Sequence, residues 1–268
     1  MRIYVAEHAV DVDAGTRLYE LRRRMHPEAD VVVRNGAPAA ADCELADDDR
    51  VIFIRRGEVP AEADLEALMM ARHTPGVHAR VKRATVGLAG AGGLGSAVAV
   101  ALARTGVGRL VVADFDVIEP SNLNRQQYFM DQLGLLKVDA LKANLARINP
   151  YVRVETHARR LTPDNVPGIF QDVDVLVEAF DAAAAKVMLL ESFTRAFPDR
   201  PIVMASGLAG HGPCETIKVN RMGARVHVIG DLVSEARPGQ GLMAPRVGIV
   251  AHMQANTVLR LLLGETAE

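Results

Sequence analysis

Cysteine is scarce: the chain has two, Cys43 and Cys214, far apart and in no CxxC pair. That excludes a zinc site built on cysteine pairs, and in a reducing compartment it makes a disulfide a poor expectation. No apolar run is long enough to cross a bilayer, and the opening MRIYVAEHAV lacks the apolar core of a signal peptide. Neither sign of charge is in excess: 31 Lys and Arg stand against 33 Asp and Glu, a formal net charge of −2. The basic surplus that suits nucleic acid or an anionic membrane is missing, so neither is expected as a partner. There is no internal repeat and no low-complexity tract. The expectation is a cytoplasmic globular protein. Its 268 residues, 49% apolar and 24% charged, can bury a sizeable core in one large domain or two small ones.

The first sixty residues have a rhythm of their own. RIYVAEHAV alternates as a strand does, and AGTRLYELRRRMHPEAD carries Leu18, Leu21 and Met25 at helical spacing, with Thr16 as the expected cap. DVVVRNGAPA is a β-branched run ending in an Asn-Gly turn, and ELADDDRVIFIRRG is an acidic turn before a strand at 51–54. Two strands, a helix and two or more strands make a small α+β unit. A charged helical connector follows, interrupted at Thr74-Pro75-Gly76. Beyond it strands and helices alternate: ATVGLAG, SAVAVALARTG, RLVVAD, LLKVDALKANLARIN, RVETHA, VDVLVEAFD, AAAAKVMLLESFTRAF and PIVMASG. This alternation predicts a mostly parallel sheet covered on both faces. A short helix is expected in TPDNVPGIF, shorter antiparallel strands in TIKVN and RVHVIG, and a closing buried helix in RVGIVAHMQANTVLRLLLG.

Gly90, Gly92 and Gly95, with Gly93 between them, form G-x-G-x-x-G between a strand and a helix, the arrangement that lets backbone approach phosphate. Asp114 lies nineteen residues past Gly95 at the next strand end, where a carboxylate grips ribose hydroxyls. So far NAD, FAD and ATP are all admitted. The stretch from Asp114 to Phe129, DFDVIEPSNLNRQQYF, narrows the choice. Hydride transfer has no use for cations near the phosphates, whereas nucleotidyl transfer does. Arg125 and Lys137 lie beyond the same strand end, Asn122 can donate to a phosphate oxygen, and Asp116 is a further binding candidate or a turn residue. Asp181 ends the expected strand VDVLVEAF, where a carboxylate suits magnesium, although it could instead cap the next helix. The set fits ATP better than NAD.

GAGGLGS, DFDVIEPSNLNRQQ, LLKVDA and the strand ending in Asp181 resemble the ThiF/MoeB/HesA family, the bacterial relatives of ubiquitin-activating enzymes, over about residues 68–268. The resemblance implies an α/β fold: a Rossmann-like, mostly parallel sheet with helices on both faces at 83–268. A helical linker at 59–82 and a small ubiquitin-like, ThiS-like β-grasp (α+β) domain at 1–58 precede it. It implies an ATP-dependent adenylyltransferase activating the C-terminal Gly carboxylate of a ThiS-like sulfur carrier, in thiamine (thiazole) biosynthesis, as a homodimer. Asp114 would bind ribose, Asn122, Arg125 and Lys137 the triphosphate, and Asp181 magnesium, with Arg72 a candidate for an arginine donated across the dimer. Many relatives carry two CxxC zinc pairs; without them no zinc is expected. Cys214, read as a buried or incidental thiol, implies adenylation without an enzyme-bound thioester.

The fused domain cannot itself be the substrate as written. Its one terminal glycine, Gly57, is followed by Glu58, so its carboxyl is locked in a peptide bond. Either the chain is cleaved after Gly57 or a separate carrier docks in trans; the second is the expectation, with the fused domain a dimerisation, docking or regulatory module. The alternatives are an enzyme like the tRNA threonylcarbamoyladenosine dehydratases, a non-catalytic nucleotide-binding scaffold and, last, a plain NAD oxidoreductase. The segment DLVSEARPGQGLMAPRVG could form a mobile crossover or pack the closing helix.

Overall fold

The computed structural model describes residues 1–265, which divide between His78 and Ala79 into two units. In the first, β1 (Arg2–Val5) and β2 (His8–Asp11) pair antiparallel around Ala6 and Glu7. Both turn residues are left-handed, φ 47° and 69°. Two such residues match the right-handed twist of the flanking strands, even without the glycine that usually marks the turn. α1 (Leu18–Met25) buries Leu18 and Leu21. β3 (Val31–Arg34) turns at Asn35-Gly36 into the two-residue β4 (Ala37–Pro38), and β5 (Arg50–Ile54) completes the sheet. The order is β2-β1-β5-β3-β4, with β5 parallel to β1 and antiparallel to β3. A helix crossing a sheet whose central pair is parallel is the β-grasp layout, here around Ile3, Leu18, Leu21, Val32 and Val51. The expected cap of α1 is corrected: Arg17 occupies that position, and the Thr16 hydroxyl donates back to Asp13 O. The free N–H groups at the helix start are met from elsewhere, Leu18 by Cys43 O and Tyr19 by the Asp42 carboxylate. After β5 come α2 (Glu62–His73) and α3 (Pro75–Arg83), separated at Thr74.

The second unit is built on seven strands. β6 (Thr85–Ala89), β7 (Arg109–Ala113) and β8 (Arg153–His157) run outward to one side of the sheet. The chain then crosses back, and β9 (Val175–Glu178), β10 (Ile202–Ala205), β12 (Val226–Gly230) and β11 (Lys218–Met222) fill the other side. The order β11-β12-β10-β9-β6-β7-β8 is parallel throughout except for β11. TIKVN and RVHVIG do pair antiparallel, but the second also runs parallel to β10. β9 and β10 are buried at every residue, as strands covered on both faces must be. The expected strand VDVLVEAFD ends earlier, at Glu178, because the Phe180 N–H turns back to that residue's carboxylate. The covering helices are α4 (Gly93–Arg104), α5 (Lys137–Ile148), the short α6 (Val166–Ile169), α7 (Ala183–Ala196) and α8 (Ala244–Leu262). Phe170, Leu176, Leu189, Phe193 and Ile202 anchor the core on one face of the sheet. Among the described residues no helix is long and apolar enough to cross a membrane.

α8 buries one charge among its apolar residues. Arg246, in its first turn, donates to Gly212 O and Pro213 O at 2.7 and 3.1 Å and to Thr216 Oγ1 at 3.2 Å. It also pairs with Asp231 at 2.7 Å. One guanidinium thus fastens the loop after β10, the turn after β12 and the start of α8. The segment after Asp231 is tied down in this way, and its Leu242 O accepts from Asn124 Nδ2. Burial alone would raise the Asp231 pKa. The Ser234 hydroxyl and N–H, the Val233 N–H and Arg246 overcome that and bring it down to about 2. A depressed carboxylate pKa adds stability that is present above the unfolded value and is lost as pH falls through the folded one. Arg246→Met is expected to cost about 2 kcal/mol at pH 7, because it leaves a half-buried carboxylate without its cation. In urea titrations of this unit the gap between wild type and variant should hold from pH 7 to 5 and narrow from pH 4 towards 2.

Candidate functional site

The carboxyl ends of β6, β7 and β9 meet where the chain direction reverses. β6 lies between its successor β7 and the returning β9, and such a switch point opens a crevice at the strand ends. Into it runs the glycine loop. Gly90 is left-handed at φ 105°, and a Cβ there would lie 2.8 Å from Ala179 O. A Cβ at Gly95 would lie 1.9 Å from Gly90 O. These positions exclude a side chain, so the loop, the start of α4 and the exit from β9 close on one another. α4 then starts at Gly93 with its first N–H groups at the crevice.

Asp114 follows β7 and accepts from Ala91 N at 2.6 Å and from Asp116 N at 2.8 Å. Burial raises its pKa, against the pull of those N–H groups and of Lys137. The carboxylate thus reaches the glycine loop directly. Lys137 opens α5 almost wholly buried; its ammonium pairs with Asp116 at 2.8 Å and its N–H donates to Asp116 O at 2.9 Å. Asp116 therefore holds the cation at this edge. Asn122 is buried in a short 3-10 turn, with its Oδ1 accepting the Glu119 N–H at 3.1 Å. The Arg125 stem lies on Gly93, whose Cβ would meet Arg125 Cγ at 3.3 Å, and its guanidinium donates to Ser121 O and Asn124 Oδ1.

Asp181 is exposed beyond β9, two residues from the Ala179 that touches Gly90. It does not cap α7: Ala182 holds that position and no side chain bonds there. Among the described residues no donor holds its carboxylate, and no group of three metal-ligating side chains occurs. A lone free carboxylate beside a phosphate-type loop fits magnesium, which takes one or two carboxylates and draws its other ligands from phosphate and water. Gly90, Gly92, Gly93, Gly95, Asp114, Asp116, Asn122, Arg125, Lys137 and Asp181 thus share one sheet edge. Arg72 is exposed in the last turn of α2 and belongs to the other unit. Cys214, expected to be buried or incidental, is exposed in a 3-10 turn.

Two residues of this edge were not singled out by spacing. Tyr128 is buried and its hydroxyl donates to Ala91 O at 2.7 Å, with Lys137 O at 3.3 Å, tying the glycine loop to the start of α5. Gln126 is buried with its Nε2 3.8 Å from the Cβ position of Gly92, and its Oε1 has no hydrogen-bond partner among the described residues. A buried amide left short of a partner beside a glycine cradle suits a polar, phosphate-bearing ligand. Both sit in the same irregular loop as Arg125, but only burial distinguishes them.

Residues 66–268 match the ThiF family and residues 1–57 the ThiS-like ubiquitin family. The adenylyltransferase and sulfurtransferase UBA4 of Candida glabrata is 31% identical over 192 residues, 69% of this chain and 44% of that protein. MOCS3 of Culex quinquefasciatus, of the same description, is 30% identical over 69% of this chain and 43% of its own length. The chain therefore spans less than half of either. Among solved structures, E. coli TcdA, a tRNA N6-threonylcarbamoyladenosine dehydratase, aligns in its AMP complex with a TM-score of 0.69 at 21% identity. That alignment covers 79% of this chain and all of TcdA. The TcdA complex with ATP gives 0.68 at 23% identity, over 78% of this chain and 98% of the other. At these identities the likeness is one of fold.

Gly95→Ala should destabilise this unit by about 3 kcal/mol, since backbone must move to admit the methyl group. Tyr128→Phe should cost about 1 kcal/mol for one lost hydrogen bond. Denaturant titration of the two variants checks both the size and the order.

Proposed function

The chain belongs to the ThiF family, and we propose that it adenylates the C-terminal Gly carboxylate of a ThiS-like sulfur carrier supplied in trans, using ATP and magnesium. The observation that carries this is the pairing of one sheet edge with one fused domain. The edge brings Asp114, Arg125, Lys137 and Asp181 around the glycine loop, and a ThiS-like domain stands ahead of it. The curated relatives' description as adenylyltransferases supports the reading. We place the reaction in thiamine (thiazole) biosynthesis, in the cytoplasm.

Asp114 takes the ribose hydroxyls, and the glycine loop with the first N–H groups of α4 takes phosphate oxygens. Asn122, Arg125 and Lys137 face the charge that builds on the phosphoryl oxygens and on departing pyrophosphate; Lys137 is released to them from Asp116 or shared with it. Asp181 would hold magnesium, which when bound neutralises phosphate charge. The attacking carboxylate has a pKa of about 3.5 and is ionised at neutral pH, so no general base is required. The chain's residues act by positioning and by charge stabilisation. Cys214 has no part in this step.

A second reading is favoured by one observation, the match over the whole length of TcdA. On that reading the activated carboxylate belongs to a modified tRNA. The near-neutral charge and the fused ThiS-like domain weigh against it.

We take the chain to work as a homodimer, a reading supported by an apolar surface within the same loop. Val117, Phe129, Met130, Leu133 and Leu135 are all exposed, and the bridge between Val117 and Leu136 draws the two ends of the loop together. Clustered exposed apolar side chains mark interaction surfaces.

ATP–pyrophosphate exchange should require magnesium and a carrier ending in Gly-Gly, and Arg125→Ala should lower it by about a hundredfold or more. Exchange that responds to threonylcarbamoyladenosine-modified tRNA and to no carrier would transfer the assignment to the second reading. Met130→Asp should shift the elution volume of the chain on size exclusion from dimer to monomer.

A further inference from the structure

β9 and β10 pair at Leu176–Ile202 and Val177–Val203, and the next residue of β9 is a fully buried carboxylate, Glu178. Lys186 of α7 meets both its oxygens, at 2.8 and 2.9 Å, and also donates to Ala205 O at 3.0 Å. The Phe180 N–H donates to Glu178 Oε1 at 2.6 Å and the Ala205 N–H to Oε2 at 3.3 Å. Gln254 of α8 donates to Glu178 O at 3.0 Å. One ion pair thus joins β9, β10 and α7, and α8 is joined to it through the Glu178 backbone.

The turn Ala179-Phe180-Asp181 leaves from this knot. Its first residue is pressed against the glycine loop, with Ala179 O 2.8 Å from the Cβ position of Gly90. Its second gives its N–H to Glu178. The third, Asp181, points its carboxylate to no partner of its own among the described residues. Nothing about Asp181 itself fixes where it stands; the residues before it do.

We infer that the Glu178–Lys186 pair is a positioning device for Asp181, holding the turn so that its carboxylate stands at the phosphate side of the glycine loop. The inference rests on the reading of Asp181 as the magnesium carboxylate. Magnesium demands near-ideal octahedral geometry and short bonds, so a small drift of one carboxylate weakens it sharply. Partners behind a metal ligand commonly control metal affinity by ten- to a hundredfold. Lys186 does two things that an apolar residue cannot. It offsets the buried charge of Glu178, and it fixes the rotamer that receives the Phe180 N–H.

The test uses the full chain and a fluorescent ATP analogue, titrated with magnesium and, separately, in EDTA. Hydrogen exchange at the Phe180 amide is followed without nucleotide. Lys186→Met should raise the half-saturating magnesium about tenfold, leave affinity in EDTA within twofold, and speed exchange at Phe180. Lys186→Arg should return all three to near wild type. A folded Lys186→Met with unchanged magnesium dependence, or with an equal loss in EDTA, would make the pair a mere core contact. If Lys186→Met does not fold, Glu178→Gln carries the test, since it keeps the shape and removes the charge; an unchanged magnesium titration there overturns the inference. Asp181→Asn separates the two claims. If Asp181→Asn keeps the wild-type magnesium dependence, or wild type shows none, the reading of Asp181 fails. Phe180 exchange then decides the positioning alone, faster in Lys186→Met supporting it and unchanged overturning it.

Discussion

A side chain at position 95 would stand 1.9 Å from the carbonyl oxygen of Gly90. The second unit depends on that contact. Because there is no Cβ, the chain leaving β6 can reverse into α4 in a tight turn. Because Gly90 also lacks one, the exit from β9 can close on the same turn, with Ala179 N donating to Ala89 O at 2.9 Å. Three strand ends therefore converge on a patch of bare backbone. Everything chemical at this edge is arranged relative to it: Asp114 bonds Ala91 N, Tyr128 bonds Ala91 O, the Arg125 stem lies on Gly93, and the turn to Asp181 starts at Ala179.

The charges divide into two kinds. Some are satisfied within the protein: Glu178 by Lys186, and Asp231 by Arg246 and the Ser234 turn. These fix backbone. Others stand at the crevice with little to hold them. Asp181 is exposed, and Asp114 is held by two N–H groups and, among the described residues, by no direct ion pair, so burial raises its pKa despite those bonds. A carboxylate under-satisfied in this way gains from ligand hydroxyls, which donate to it without adding charge. The difference between the two kinds is a physical reason to separate scaffold from site.

Much of this edge was legible because its signals are local. The glycine loop needs three glycines at fixed spacing, and Asp114 needs only to follow the next strand. The loop with Asn122 and Arg125 is also one continuous stretch. What spacing could not show were contacts made by packing. Glu178 and Lys186 belong to different elements, and their pairing depends on how α7 returns over β10. Arg246 reads as one charge in an apolar helix, and only the loops that it grips give it a purpose. Gln126 and Tyr128 look like any polar loop residues until burial sorts them. In the first unit local rules yielded to the sheet: Ala6 and Glu7 adopt a turn that favours glycine, and Thr16 lost the cap because Asp42 and Cys43 supply the helix start from across the fold.

The fused ThiS-like unit is constrained in the same terms. Its sheet ends at Ile54, and the following residues through Ala63 are exposed. Within them Gly57 is left-handed at φ 79°, and the Glu58 N–H folds back to Arg55 O at 3.2 Å. A tail presented for adenylation has to be extended and end in a free carboxylate. Here the chain turns at Gly57, and its carbonyl is an amide that cannot displace pyrophosphate. The same covalent bond that tethers a carrier-like fold to an activating fold removes the one group that would make it a substrate. While that bond is intact, recognition of a partner or of another copy is the property the unit can contribute, which is why the proposed carrier is placed in trans.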